Sequence, residues 1–333
     1  MSISQHIDEI HYGPSTARTV ASDIVGGAGT YAVLGARIFS PEPVVARTIH
    51  WIVDAGSDFP DSVRKQLESF GTSMHLREDM GRLTTRGYNS YPSDDSAEEH
   101  RAFHYLTPKK RLTIEDLHEF GLTRTKSIHL CCSPERCLEE VRKLEKLSGG
   151  KADTIIIWEP IPDLCTPEYR ESMLEAAKRV NVVSPNHEEL SGFFTDGETA
   201  SLEDLAARIS VGPNGEGSVV VRAGRRGCYV HEGSRVKGHW MPPFYEASGC
   251  KSHSMVVDPT GGGNTFVGAF AVGLARGKNA LTAAAMGAVA ASFAIEQIGL
   301  PVLDTWANMW NGVDPLERMK TYLLRVGNEE IEV

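Results

Sequence analysis

Apolar residues along this chain follow two alternating patterns, one with the length of a strand and one with the period of a helix. Residues 127–132, 154–158 and 182–184 are short apolar runs that predict buried strands. Residues 134–147 and 171–180, which lie between those runs, carry apolar positions at helical spacing. Strands that alternate with helices predict a parallel sheet with helices on both faces.

A glycine-rich junction joins the two patterns between residues 256 and 273. Two valines lead to Asp258, a proline, a threonine and three glycines follow, and apolar residues recur at helical spacing from Thr265 onward. This order predicts a strand, a turn and a helix start. Backbone N–H groups at a helix start lack intrahelical partners and carry partial positive charge, so the glycines at 261–263 are candidates for an anion site.

Residues 24–38 pass from glycines into a helical pattern and support two interpretations. The first is the dinucleotide fingerprint G-x-G-x-x-G/A, with Gly27, Gly29 and Ala32 at its three small positions and Asp54 as the ribose-binding acid. The strand that should precede those glycines is short for that motif. The second interpretation, a sugar-binding di-glycine segment, follows from the family resemblance described below.

The amino-terminal third also predicts isolated strands. A weak strand is predicted over residues 6–10, with Asp8 either in contact with a substrate or solvated in a frayed terminus. Residues 81–86 and 101–106 alternate in polarity and contain β-branched residues, which predicts two further strands. An ordinary surface hairpin is one interpretation of that pair.

Asn186 and Glu189 stand three residues apart at a predicted helix start. This spacing is typical of a helix cap. It also places an amide and a carboxylate on one face, where the carboxylate can hold Mg²⁺ through water and the amide can reach a phosphate. Both interpretations stay open.

Composition and charge exclude several classes of function. The 333 residues carry a formal net charge of −10, and the longest dense basic run is the short one at 109–111, so nucleic acid is not the expected ligand. No secretory signal is read at the start, and the alanine-rich segment 281–295 is too short to cross a bilayer. Six cysteines without Cys-x-x-Cys spacing fit a reduced compartment, and we expect a cytoplasmic protein that does not act at a membrane.

Within the glycine-rich junction, residues 258–264 read Asp-Pro-Thr-Gly-Gly-Gly-Asn. This segment resembles the second signature of the pfkB (ribokinase-like) family of carbohydrate kinases, which reads Asp-Thr-x-Gly-Ala-Gly-Asp. Residues 26–32, 186–189 and 222–227 resemble three further segments of that family, in the family's order. The combination of Gly-Gly-Ala-Gly-Thr-Tyr-Ala with the junction is most similar to the fungal maintenance-of-killer (Mak-type) group of pfkB-like proteins.

The resemblance implies a ribokinase-like three-layer α/β/α fold with a mostly parallel central sheet and a small β-sheet lid. One domain is expected over 1–333, with lid strands around 8–25 and 82–106. The implied catalytic positions are the anion hole and the general base, Gly261, Gly262, Gly263 and Asn264. The implied nucleotide contacts are Asn186, Glu189, Arg222, Gly224, Gly227 and Thr260. The implied substrate contacts are Asp8, Gly26, Gly27, Tyr31 and Asp258.

The same resemblance implies cofactors and partners. ATP and Mg²⁺ are expected, with Glu189 holding the metal through water, and a monovalent cation is a further candidate. The expected partners are the nucleotide and a small-molecule substrate, and a homodimer is compatible with the family.

Three positions depart from the family pattern and open alternatives for function. Asn264 replaces the general base, Tyr31 replaces a substrate-binding Asn, and Arg222 replaces a Thr beside the nucleotide, where it either contacts phosphate or blocks it. Loss of a positioned base removes about 10² to 10⁴ in rate. The first hypothesis is an ATP/Mg-dependent kinase that acts on a hydroxyl of a sugar-like or nucleoside-like compound. The alternative is a pseudokinase that binds a nucleotide or metabolite and regulates a protein partner. A NAD-binding dehydrogenase comes third.

Overall fold

The computed structural model describes residues 6–12, 21–91, 102–150, 153–233, 237–246, 255–327 and 330–331. Within these ranges the strands are β1 His6–Tyr12, β2 Ala21–Gly26, β3 His50–Gly56, β4 Ser73–Asp79, β5 Arg86–Tyr91, β6 Ala102–Tyr105, β7 Ser127–Cys131, β8 Ile155–Glu159, β9 Val182–Val183, β10 Ser218–Arg222, β11 Cys228–Glu232, β12 His239–Met241, β13 Leu303–Asp304 and β14 Met309–Trp310. The helices are α1 Ala28–Ile38, α2 Pro43–Ala46, α3 Asp61–Glu68, α4 Ile114–Glu119, α5 Pro134–Ser148, α6 Arg170–Ala177, α7 His187–Gly192, α8 Leu202–Ala207, α9 Gly262–Ala275, α10 Ala280–Ala294 and α11 Pro315–Val326.

The larger sheet has six strands in the order β12-β11-β10-β9-β8-β7. Strands β7 to β10 run parallel, while β11 and β12 pair antiparallel at one edge. Strands β3 and β4 form a separate parallel pair. The carboxyl ends of the parallel strands therefore lie at one edge, where ligands of open α/β sheets bind.

Helices cover both faces of this sheet because successive strand residues point to opposite sides. Ile157, Val182 and Val220 pack with α1, α9, α10 and α11 in one apolar core. Trp158 and Val183, together with their neighbours on α4 to α8, form the second core. This arrangement confirms the predicted three-layer α/β/α architecture with a mostly parallel central sheet.

A second sheet has four strands in the order β2-β1-β5-β6. Strand β1 pairs antiparallel with β2 and parallel with β5, and β6 pairs antiparallel with β5. These strands fall in the two segments where lid strands were expected; residues 13–20 and 92–101 of those segments lie outside the described residues. A function of this sheet as a lid belongs to the proposal below.

Helices α1 and α9 approach each other closely because two glycines face the partner backbone. A Cβ atom on Gly35 would lie 1.9 Å from the carbonyl oxygen of Thr265, and one on Gly268 would lie 1.8 Å from that of Ala32. Any side chain at either position would separate the two helices. This contact fixes the start of α9 beside the start of α1.

Two strand predictions were wrong. Residues 256–258 are irregular, because the amides of Val257 and Asp258 both donate to the carbonyl of Ile295 at 2.8 and 3.2 Å and have no partner strand. Residues 81–85 form a loop that precedes β5, and the amide of Thr84 donates to Asp58 at 2.6 Å.

Side chains cap the first turns of two of the helices. Thr113 and Asp116 form a capping box at the start of α4. Ser201 caps α8 by accepting a hydrogen bond from the amide of Asp204. Among the described helices, none combines the length and the apolar character needed to cross a bilayer.

Candidate functional site

The site begins at the corner between the proline at 259 and the first turn of α9. Gly261 caps the helix with φ 79°, a left-handed conformation that glycine adopts without strain. The amide of Gly262 closes this turn on the carbonyl of Pro259 at 3.2 Å. Within the described residues, the amides of Gly263 and Asn264 have no hydrogen-bond acceptor. Two N–H groups at the positive end of a helix dipole thus remain available to an anion.

Two side chains from other elements contact this corner closely. A Cβ atom on Gly261 would lie 2.3 Å from the ring of Tyr31, the buried residue on α1. A Cβ atom on Gly263 would lie 2.2 Å from Nη1 of Arg222, the last residue of β10. Glycine is therefore required at both positions by contact, and the guanidinium lies directly on the corner.

The side chain of Asn264 contacts a carboxylate. Its Nδ2 donates to Oε2 of Glu159 at 2.7 Å, at the carboxyl end of β8. The same oxygen lies 2.9 Å from Nε2 of His129, a buried residue in the middle of β7. Asn264 is held by Glu159 at the position where the family places its general base.

Arg222 is shared between two carboxylates. Its Nη2 lies 2.8 Å from Oε1 of Glu159 and 3.3 Å from Oε2 of Glu189. The same nitrogen donates to the carbonyl of Ser184 at 3.1 Å. We call Glu159, Glu189 and Arg222 the ion cluster. It links the glycine corner to the start of α7.

Burial and ion pairing set the charges of the ion cluster. Burial works to raise the pKa of Glu159, but Arg222, His129 and Asn264 outweigh it and lower the net value. Burial also dominates at Glu189 and raises its pKa to about 7, against the opposing effect of Arg222. Burial works to lower the pKa of Arg222, and the two carboxylates raise it. Glu159 and Arg222 are therefore fixed as an ion pair at neutral pH.

Asn186 and Glu189 form a capping box at the start of α7. The Oδ1 atom of Asn186 accepts from the amide of Glu189 at 2.8 Å, and Oε2 of Glu189 accepts from the amide of Asn186 at 2.7 Å. The structure confirms that this pair forms a helix cap. Oε2 of Glu189 already receives the Asn186 amide and the Arg222 guanidinium, and Glu189 is only 5% exposed; its role as a holder of Mg²⁺ through water stays a prediction.

The predicted substrate residues lie on β1, β2, α1 and the turn that leads into α9, and of these Tyr31 contacts the corner. Asp8 is 3% exposed in β1, where it pairs with Ile24 and Gly87, so its solvated interpretation was wrong. Gly26 ends β2, and Gly27 caps α1 with φ 94°. Asp258 is buried, and its Oδ1 accepts from the amide of Thr260 at 2.9 Å. The substrate and nucleotide roles of these residues stay predictions.

Backbone conformation and a close contact explain the two glycines in the turn after β10. Gly224 and Gly227 have φ 54° and 88°, and a Cβ atom on Gly227 would lie 2.0 Å from the carbonyl oxygen of Met241. The turn therefore packs against β12.

Asp54, the ribose-binding acid of the dinucleotide interpretation, is already bound by two basic side chains. Its two oxygens accept from Arg77 at 2.8 and 2.9 Å, and Lys110 lies 3.0 Å away. This use of the carboxylate leaves the dinucleotide fingerprint without its acid.

Sequence reasoning did not select Glu159 and His129 as site residues. Glu159 had a signal, since it ends a predicted apolar strand where the resembling family has an acid, and polar residues at such ends reach the ligand edge. His129 interrupts an apolar strand, which is more often a satisfied core histidine. Only the fold brings either residue to Asn264.

Comparisons with known proteins agree with this geometry. A family profile described as "pfkB family carbohydrate kinase" matches residues 83–305. Protein MAK32 of Saccharomyces cerevisiae is 38% identical over 318 residues, which cover 92% of this chain and 86% of that protein. Ribokinase from Giardia lamblia has a similar fold, with a TM-score of 0.68, 16% identity and 97% of each chain covered. A putative ribokinase II from E. coli, solved with ATP and Mg²⁺, has a TM-score of 0.67 at 16% identity, covering 97% of this chain and 98% of that chain.

We predict a pH-dependent stability from Glu189. Its folded pKa, about 7, exceeds the ordinary value of 4.5, so the folded state holds the proton more tightly than the unfolded state. This contribution to stability is complete below about pH 4.5 and is lost as the pH rises through about 7. Between about pH 5 and pH 8 the wild type should therefore lose roughly 1–3 kcal/mol more unfolding free energy than Glu189→Gln.

Urea unfolding at several pH values measures this difference. Glu188→Gln is the control: Glu188 is an exposed carboxylate on the same turn and only the last of the causes that raise the pKa of Glu189, so this variant should keep most of the wild-type pH dependence. Parallel pH dependences for the wild type and Glu189→Gln would contradict the prediction.

Proposed function

Since the chain belongs to the pfkB family of carbohydrate kinases, we propose that it transfers a phosphoryl group from ATP to a hydroxyl group of a sugar-like or nucleoside-like small molecule. The observation that carries this proposal is the convergence of three donors at one corner. The amides of Gly263 and Asn264 and the Nη1 atom of Arg222 all lie at the start of α9.

These donors suit the charge that develops in phosphoryl transfer. The transition state of that reaction is loose, with negative charge spread over the transferred oxygens, and its catalysis is mostly positioning and electrostatic stabilisation. Fixed amide and guanidinium donors require no reorganisation when that charge forms. The reaction therefore tolerates an amide at Asn264 better than a reaction limited by proton abstraction would.

The acceptor substrate is proposed to lie between the corner and the four-stranded sheet. Asp8 on β1, Gly27 at the start of α1 and Tyr31 over Gly261 belong to elements that reach this region. The four-stranded sheet is proposed as the lid that covers the substrate, with the whole chain as one domain. Substrate and nucleotide are both small molecules in this proposal. A cytoplasmic location is proposed separately, from the sequence.

The nucleotide is proposed to bind with its terminal phosphate at the corner. A protein of similar fold has been solved with ATP and Mg²⁺. In this chain the cap occupies only the Oδ1 atom of Asn186, so its Nδ2 donors and the Nη1 donors of Arg222 are proposed to contact phosphate. The family resemblance implies Mg²⁺ as the counter-ion of ATP, although the guanidinium of Arg222 already supplies positive charge at the corner; a monovalent cation is a further candidate.

A matched pair of glycine variants tests the phosphate corner. In Gly263→Ala the new Cβ atom displaces the Arg222 guanidinium, so kcat/KM should fall by about 10²- to 10³-fold, as on loss of one charge-stabilising donor. In the control Gly81→Ala, in the loop before β5, the new atom meets only the side chain of Asp79 at 3.3 Å, and turnover should stay near the wild-type value.

ADP release from MgATP, assayed against a panel of sugars and nucleosides, provides the measurement. Equal turnover by Gly263→Ala and the wild type would refute the corner as the phosphate site. A wild type that binds ATP but turns over no member of the panel would instead favour the second candidate below.

A pseudokinase that binds a nucleotide or metabolite and regulates a protein partner is the second candidate. The observation that favours it is the hydrogen bond from Asn264 to Glu159 at 2.7 Å, which holds a side chain without a basic lone pair where a base would act. Nucleotide binding needs only the corner donors, so binding can persist where proton transfer is lost.

Restoring an acid at position 264 tests this candidate. Asn264→Asp alone places two carboxylates at hydrogen-bond distance, and they will share a proton, so little base is gained. The double variant Asn264→Asp with Glu159→Gln relieves that repulsion. If the protein is a pseudokinase, the double variant should turn over substrate faster than Asn264→Asp, while the wild type and Glu159→Gln stay inactive.

The measurement is ADP release by the four proteins with the same panel. Wild-type turnover that neither acidic variant increases would show that Asn264 is not a missing base, and would exclude the pseudokinase.

A further inference from the structure

Arg222 places a fixed positive charge between the glycine corner and the carboxylates Glu159 and Glu189. Its Nη2 atom is bound by both carboxylates, at 2.8 and 3.3 Å. The opposite side of the guanidinium faces the corner, where its Nη1 atom would lie 2.2 Å from a Cβ atom on Gly263. The guanidinium thus lies between anionic side chains and an anion site.

The Nη1 donors of Arg222, on the side of the guanidinium nearest the corner, are unused. Within the described part of the chain, no hydrogen-bond acceptor contacts Nη1. A buried donor without an acceptor costs about 1–3 kcal/mol, which a ligand oxygen would recover. Nη1 and the amides of Gly263 and Asn264 therefore lie together at the start of α9 as donors for one anion.

A divalent cation fits this arrangement poorly. Mg²⁺ requires near-ideal octahedral oxygen geometry and keeps several of its waters. Glu159 and Glu189 are each 5% exposed, and each already accepts an ion pair from Arg222. A cation that approached either carboxylate would also be repelled by the guanidinium a few ångströms away.

We propose that Arg222 takes the place of a divalent cation at the phosphate site, so that this chain binds the phosphate groups of a free nucleoside triphosphate without Mg²⁺. The guanidinium supplies a fixed positive charge and, through Nη1, a donor for a phosphate oxygen. Glu159 and Glu189 keep the guanidinium charged and oriented toward the corner. This inference rests on the proposed function, because it requires nucleotide phosphates at the corner.

The test is a calorimetric titration of the full-length protein with ATP, once in excess EDTA and once in excess MgCl₂. The wild type should bind ATP in EDTA at least as tightly as in MgCl₂. Arg222→Lys keeps the positive charge, but a single ammonium group cannot contact both carboxylates and the corner at once as the guanidinium does, and its affinity in EDTA should fall about 10- to 100-fold.

Two further variants complete the design. Arg222→Thr, which installs the residue usual in the family, should lose affinity in EDTA by at least as much as Arg222→Lys; circular dichroism will show whether it folds, and the wild-type and Arg222→Lys results decide the proposal without it. Arg179→Thr removes a surface arginine that pairs with Glu145 and should bind as the wild type does, which controls for net charge.

Failure of this inference and failure of the proposed function give different results in these titrations. A wild type that binds ATP at least tenfold more weakly in EDTA than in MgCl₂, or an Arg222→Lys variant with unchanged affinity in EDTA, would overturn the inference and leave the proposed function standing. A wild type that binds ATP in neither solution would overturn the proposed function and this inference with it.

Discussion

The ion pairing of Arg222 with Glu159 and Glu189 governs the chemistry at the start of α9. All three side chains are largely withdrawn from water, and removing one partner of such a pair typically costs about 3–5 kcal/mol because it strands a buried charge. The guanidinium cannot leave the corner without breaking these contacts. The proposed phosphate site is therefore a composite of helix amides and a fixed cation.

The backbone around the corner has glycine wherever another element approaches. Gly35 and Gly268 let α1 and α9 pack at backbone contact, which brings Tyr31 onto Gly261. Gly263 leaves room for Arg222 from β10. The position of the anion site thus follows from close packing of three elements that are far apart in the sequence.

The sequence predicted the layered fold well where the apolar pattern was regular. Strands β7 and β8 and helix α5 appear within one residue of their expected bounds. The strand expected at 256–258 failed because the amides of Val257 and Asp258 donate to the carbonyl of Ile295, just after α10, while the side chain of Val257 is exposed. Local pattern cannot distinguish a residue that pairs with a strand from one that docks on a helix end.

The candidate site was predictable in outline and not in its contacts. The glycines of the corner and the departures at Tyr31, Arg222 and Asn264 could be read from motif order. The hydrogen bond between Asn264 and Glu159 joins residues 105 positions apart, so it exists only in the fold.

The most direct measurement of the central claim is a crystal structure with a non-hydrolysable ATP analogue. We predict terminal phosphate oxygens within about 3 Å of the Gly263 and Asn264 amides and of Arg222. Phosphates bound away from the corner, with Arg222 contacting only its carboxylates, would contradict it.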